Sequence, residues 1–144
     1  MRINVIKKSK HELTQCSTQQ SAGMELRANP ENDIILKPLE RILVPTVLFM
    51  EIPVEYEEQI RPRSGLTIKK GVNILNSLGA IDADYRGEVC IIPVNLSTKK
   101  FVIEDGERIC QIVIAKQEKA ELESVDILLY CERGVEWFGH TGKN

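Results

Sequence analysis

Apolar positions in this chain fall in short runs and alternations, and almost nowhere at the three-and-four spacing of a helix. Ile3 and Val5 flank Asn4 in a first β-type run over residues 2–6, and residues 8–23 are polar and aperiodic, which predicts a surface connection. Met24 and Leu26 then bracket Glu25, and the pattern alone makes Glu25 an isolated exposed acid in a strand. After the turn cluster Asn29–Asp33 come β-rich runs over 34–37 and 42–52, with Pro38, Pro45 and Pro53 at ends or edges. Tyr56 to Ile60 is a further short run, followed by one short helix predicted over 66–70. Val72–Leu78 and Val89–Leu96 are strongly β-forming, and 101–104 and 108–115 make a pair around the turn signal Asp105-Gly106-Glu107. Residues 121–130 alternate weakly and end in I-L-L-Y, while 133–144 contain three glycines and no period. Many short strands with frequent turn signals predict an all-β sandwich or barrel.

Composition narrows the function classes. A chain of 144 residues forms one domain with material for one core. Its net charge of -2 offers no basic surface for a nucleic-acid backbone, although a small anion needs only a few local cations. The start has no continuous apolar stretch of the signal-peptide kind, and no run approaches a membrane span. Cys16, Cys90, Cys110 and Cys131 show no C-x-x-C spacing and read as free thiols of a reducing cytoplasm. Two histidines, His11 and His140, are too few for an all-protein metal cage.

Four stretches carry candidate chemistry. R-P-R-S-G-L, residues 61–66, offers two guanidinium groups, the Ser64 hydroxyl and the open backbone of Gly65, a set suited to phosphate oxygens or to a solvated turn. N-S-L-G-A-I-D-A-D-Y-R, residues 76–86, places Asp82 among small and apolar residues with an aromatic three positions on; Asp82 is either a turn aspartate or a base. Gln111, in the apolar run R-I-C-Q-I-V-I, is either a satisfied core amide or a ligand contact. The tail sets Arg133, Phe138, His140 and Thr141 on a glycine-hinged arm, with an aromatic for stacking and polar groups for phosphate.

The ordered motifs A-G-M-E-L-R-A, P-R-S-G-L, N-S-L-G-A-I-D-A-D-Y-R-G-E, G-E-R-I-C-Q and R-G-V-E-W-F-G-H-T-G run from Ala22 to Gly142. In this order the chain resembles the trimeric dUTP pyrophosphatases (dUTPases). The resemblance implies a jelly-roll-like β domain over 1–132, an arm over 133–144 that closes over an active site, and a homotrimer with three sites at subunit interfaces. It implies hydrolysis of dUTP to dUMP and pyrophosphate with Mg2+. By position Asp82 would hold the water that attacks the α-phosphorus, and Tyr85 would pack on the deoxyribose and exclude a 2′-hydroxyl. Asn76 and the backbone of Gly79, Ala80, Ile81 and Asp82 would read uracil, with Cys90 beside them. Arg63, Ser64 and Gly65 would contact the phosphates with Gln111 in support. Phe138 and Gly139 would close over the base, and Arg133, His140 and Thr141 would meet the terminal phosphate. Mg2+ would sit on the triphosphate with no protein side chain as direct ligand, and Glu25 would reach it only through water.

Two positions depart from the family pattern: Glu25 stands where aspartate is usual, and Glu136-Trp137 precede Phe138 where glycines are usual. They bear on the rate and on arm closure. Other readings are a non-catalytic nucleotide-binding relative, which would bind dUTP without turnover, and a dCTP deaminase-like enzyme, which would release ammonia from dCTP. A purely structural sandwich would bind no deoxynucleotide.

Overall fold

The alternation of the sequence is realised as ten short strands and one helix, in a computed structural model that describes residues 1–135 and Trp137. The strands are β1 (Asn4–Lys7), β2 (Met24–Arg27), β3 (Ile34–Leu36), β4 (Leu48–Glu51) and β5 (Tyr56–Pro62). The helix α1 (Ser64–Lys70) follows, then β6 (Val72–Ile74), β7 (Gly79–Ile81), β8 (Pro93–Asn95), β9 (Phe101–Ile103) and β10 (Arg108–Lys116). Every pairing is antiparallel. The largest sheet has the order β2-β10-β5-β7, and three two-stranded ladders, β1-β4, β3-β9 and β6-β8, complete the all-β, jelly-roll-type fold.

One face of each strand feeds a common core. Leu26, Leu36, Val44, Ile91, Ile103, Ile109 and Ile112 are all essentially inaccessible, and burying each such side chain contributes about 1.5–3 kcal/mol. The buried amide of Asn95 is fully used. It donates to the Leu36 and Lys99 carbonyls (2.9 and 2.8 Å) and accepts from the Ser97 amide and hydroxyl (2.9 and 2.8 Å), tying β3 and β8 to the next turn.

Several predicted runs break where the backbone forbids a ladder. The run over 42–52 yields only β4, because Pro45 has no N–H to donate and Val47 takes a left-handed φ of 50°. That corner is braced from outside: one oxygen of Glu88 accepts the amides of Thr46 and Val47 at 2.9 and 2.7 Å. The 72–78 run ends at Ile74 and resumes as β7, with a turn closed by Ser77 N–H to Ile74 C=O (3.2 Å). The helix starts two residues earlier than predicted and stops at Gly71, whose φ of 67° suits glycine and whose N–H caps the Thr67 carbonyl. Residues 117–135 form no strand, and Leu122, Ile127, Leu128, Leu129 and Tyr130 are all more than 80 % exposed.

Candidate active site

The first cluster grows from β7 and the turn after it. Tyr85 N–H donates to the Asp82 carbonyl (3.1 Å), so Asp82 to Tyr85 is a closed turn, and Arg86 secures it by donating to the carbonyls of Ala83 and Tyr85 at 2.6 and 2.8 Å. The Tyr85 hydroxyl donates to the Glu88 carbonyl at 3.0 Å, which folds the ring back over Gly87. The result is an open cleft of about 260 Å³ lined by Ala80, Ile81, Asp82, Tyr85, Glu88 and Cys90. Burial, with a smaller contribution from Glu88, pushes the Cys90 thiol up, so it stands in this cleft as a neutral, weakly polar wall. Asn76 lies across Gly79: a Cβ on that glycine would meet the Asn76 amide nitrogen at 2.8 Å. Asp82 is exposed at the cleft mouth.

The second cluster forms where β2, β10 and the end of β5 meet. Gln111 pairs with Glu25 on one side and Arg61 on the other, and its amide donates to the Pro62 carbonyl at 3.1 Å. Gly23 leaves room for it, since a Cβ there would stand 2.5 Å from the Gln111 carbonyl oxygen. Glu25 is not the isolated exposed acid its pattern suggested. One of its oxygens accepts Arg63 Nε and Nη2 at 2.9 and 2.7 Å, and the other accepts Arg108 Nη1 at 2.5 Å. Arg63 Nη1 also donates to the Arg108 carbonyl at 2.6 Å. Ser64 and Gly65 open α1 on the surface, and around Gly65 there is open space for a ligand or another chain.

Arg108, to which the sequence assigned no role, joins this cluster through its ion pair with Glu25. Its position follows from an irregularity in the β10–β2 ladder between Arg108 and Cys110. Both Ile109 and Cys110 turn into the core there, and the Cys110 thiol is pushed up to about 12 by burial. In a regular strand Arg108 would share the inward face of Cys110; the bulge turns it outward towards Glu25. Two adjacent apolar residues after an arginine, I-C in R-I-C-Q, are the signal that could have marked it.

The two clusters are not adjacent within one chain. Ile81 pairs with Glu58 on β5, whereas Arg63 lies five residues beyond Glu58, just past the strand end. Asp82, one position past Ile81, falls beside Glu57, six residues from Arg63, and at ~3.3 Å per residue this puts Asp82 and Arg63 roughly 20 Å apart along the sheet. Arg133 lies on an exposed turn and its Nη2 donates to the Trp137 carbonyl at 3.1 Å. Phe138, Gly139, His140 and Thr141 fall outside the described residues, as does Glu136.

Among the described residues no three His, Cys, Asp or Glu side chains converge as a metal cage, and no helix is long and apolar enough to cross a membrane. Both oxygens of Glu25 already accept guanidinium hydrogens.

Comparison with known proteins gives a consistent picture. The sequence model of the dUTPase family matches residues 9–142. The chain is 51% identical over 142 residues to the deoxyuridine 5′-triphosphate nucleotidohydrolase of Finegoldia magna, covering 99% of each. It is 51% identical over 143 residues to that of Fusobacterium nucleatum subsp. nucleatum, covering 99% of this chain and 98% of the other. Among solved structures, a point mutant of the phage 80alpha dUTPase superposes with a TM-score of 0.85 at 26% identity, covering 96% of this chain and 98% of that one. A second point mutant of the Staphylococcus bacteriophage 80alpha dUTPase, solved with dUpNHpp, gives a TM-score of 0.85 at 25% identity over 99% of both chains.

Proposed function

We propose that this chain, which belongs to the dUTPase family, hydrolyses dUTP to dUMP and pyrophosphate, supplying dUMP and keeping uracil out of DNA. The observation that carries the proposal is the cleft in which Asp82, Tyr85 and the β7 backbone face one space, with Asn76 laid against Gly79 at its edge. In that space the uracil edge meets the Asn76 amide and the backbone from Gly79 to Asp82, a fixed set of partners that rejects bases leaving them unpaired. The Tyr85 ring, held by its bond to the Glu88 carbonyl, fills the volume a 2′-hydroxyl would need. The Asp82 carboxylate stands at the mouth, oriented to take a proton from water attacking the α-phosphorus.

The phosphates extend to Arg63, Ser64 and Gly65, with Gln111 held behind them by the Pro62 carbonyl. Because Asp82 and Arg63 lie far apart on one chain, a single triphosphate meets both only when they come from different copies. That separation supports a homotrimer with shared sites. The exposed apolar side chains Leu122, Ile127, Leu128, Leu129 and Tyr130 support the same assembly, since such a group needs a neighbour to cover it. The domain then comprises residues 1–132, and 133–144 form the arm that brings Arg133, Phe138, Gly139, His140 and Thr141 over the bound nucleotide.

A Mg2+ would arrive on the triphosphate, held through phosphate oxygens and water. The chemistry it would supply is neutralisation of phosphate charge that otherwise opposes the attacking water. The four unpaired cysteines suit a reducing cytoplasm. Pyrophosphate release from dUTP, dCTP, dTTP and UTP, for the parent chain and Asp82→Asn, tests the reading. The expected result is turnover of dUTP alone, lost by orders of magnitude in the variant while binding of dUpNHpp persists. No dUTP turnover at micromolar protein overturns it.

A further inference from the structure

The carboxylate of Glu25 is the meeting point of two guanidinium groups that arrive from different parts of the chain, Arg63 at the end of β5 and Arg108 at the bulge of β10. Left alone, two cations so close would repel and splay. Here one oxygen binds each, and the Arg108 carbonyl takes a further hydrogen of Arg63, closing a ring across three strands. A guanidinium fork has more N–H groups than these bonds occupy, so one edge can be held by protein while another faces a phosphate. The glutamate stem matters as well, because β2 and β10 pair with Glu25 opposite Gln111, three residues from Arg108. A side chain shorter by one methylene would draw both oxygens back towards β2, away from the two guanidinium groups.

We propose that Glu25 is a positioning residue for phosphate recognition, holding Arg63 and Arg108 side by side so that their remaining N–H groups converge on the phosphate oxygens of the substrate. The inference rests on the reading of Arg63, Ser64 and Gly65 as phosphate contacts. It gives the glutamate of the first motif a task away from the metal and adds Arg108 to the phosphate set.

The test is titration of the full-length protein with inorganic pyrophosphate in the absence of Mg2+, for the parent chain, Glu25→Gln, Glu25→Asp, Arg108→Gln and the double variant Glu25→Gln/Arg108→Gln. Glu25→Gln keeps the shape and removes the charge, and it should weaken pyrophosphate binding on the order of tenfold, with Glu25→Asp in between. The double variant should be little weaker than the worse single one, since both changes remove the same arrangement. In steady state the KM for dUTP should rise in parallel, while the Mg2+ concentration for half-maximal rate stays where it was. Unchanged or tighter pyrophosphate binding in Glu25→Gln overturns the proposal, because the carboxylate would then be idle or a mere competitor. A shifted Mg2+ requirement, with or without the other changes, also overturns it by placing Glu25 on the metal, as does absence of pyrophosphate binding by the parent chain. A parent chain that binds pyrophosphate with these dependences yet never turns over dUTP leaves the inference standing and removes only the hydrolase reading.

Discussion

A methyl group on Gly87 would stand 2.2 Å from the phenol oxygen of Tyr85 and 2.4 Å from the ring carbon that carries it. The ring therefore keeps its position, with the hydroxyl on the Glu88 carbonyl, only because residue 87 has no side chain. Gly87→Ala should push the ring out of the place where we propose it meets the sugar. A displacement near 1 Å costs on the order of a hundredfold, so kcat/KM for dUTP should drop by that order and the preference for dUTP over UTP should shrink. Measuring kcat/KM for both nucleotides checks this. Tyr85→Phe, which loses only the hydrogen bond, should change the ratio far less.

Gly23 plays the same part at the other cluster. Gly23→Ala places a Cβ 2.5 Å from the Gln111 oxygen and 3.3 Å from Val113 Cγ2, so Gln111 must leave the Pro62 carbonyl or the strands must part. The clash falls on the end of a flexible side chain that can swing away, so the loss is that of the Pro62 bond, about 1 kcal/mol, and the melting temperature should fall only slightly. The KM for dUTP should rise severalfold, and combining the change with Gln111→Ala should add little further loss, since both act on one side chain.

Glu58 is a buried acid on β5, opposite Ile81 and Ile114, and one of its oxygens has no hydrogen-bond partner among the described residues. Burial alone pushes its carboxyl up to about 7. Between the ordinary glutamate value and that folded value, the unfolded chain releases a proton that the native chain retains. Stability should therefore fall as pH rises from about 4.5 to about 7 and level off above, a loss on the order of 3 kcal/mol from this group. Urea unfolding at fixed protein concentration, at pH 5 and pH 8, reads the slope. Glu58→Gln should flatten it, and Glu58→Met should stabilise the protein more at pH 8 than at pH 5. An identical slope in the parent and Glu58→Gln would assign the pH dependence elsewhere.

The four thiols should separate by reactivity. Cys16 and Cys131 are exposed, Cys90 is half-buried in the cleft, and Cys110 is fully buried with its thiol held at about 12. Ellman's reagent on the native protein should modify Cys16 and Cys131 quickly and Cys90 slowly, with Cys110 appearing only on unfolding. dUpNHpp should protect Cys90 selectively if the nucleotide occupies the cleft it lines.

The parts of the site legible in the sequence were those whose chemistry is contiguous. Residues 76–86 hold their turn, glycine and acid within one short stretch, and the structure gathers Ala80, Ile81, Asp82 and Tyr85 into one cleft. The β class was equally plain, because buried and less buried positions alternate in β5 and short strand-forming runs recur along the chain, although the bulged β10 breaks the alternation. What escaped depends on register. Glu25 and Arg108 are 83 positions apart, and only the bulge in β10 turns the arginine outward to meet the acid. Glu58 sits in Y-E-E-Q, which reads as a solvated face, yet alternation puts the second acid inward beside Ile60. In the 42–52 run Pro45 marks an end or edge locally, but nothing local shows that Val47 turns left-handed with its amide on Glu88, far along the chain.

The distance along β5 between Asp82 and Arg63 has a consequence for mixtures of chains. If each site borrows its acid from one copy and its arginine from another, Asp82→Asn and Arg63→Gln chains are each inactive alone yet carry complementary halves. Unfolded together and refolded, they should assemble some sites with both groups intact, so activity reappears from two dead parents. A lone Asp82→Asn chain refolded with the parent should instead silence only sites to which it lends the acid, and activity should fall in proportion to its share. Inheritance of function in this protein would then follow the subunit interface rather than the single chain.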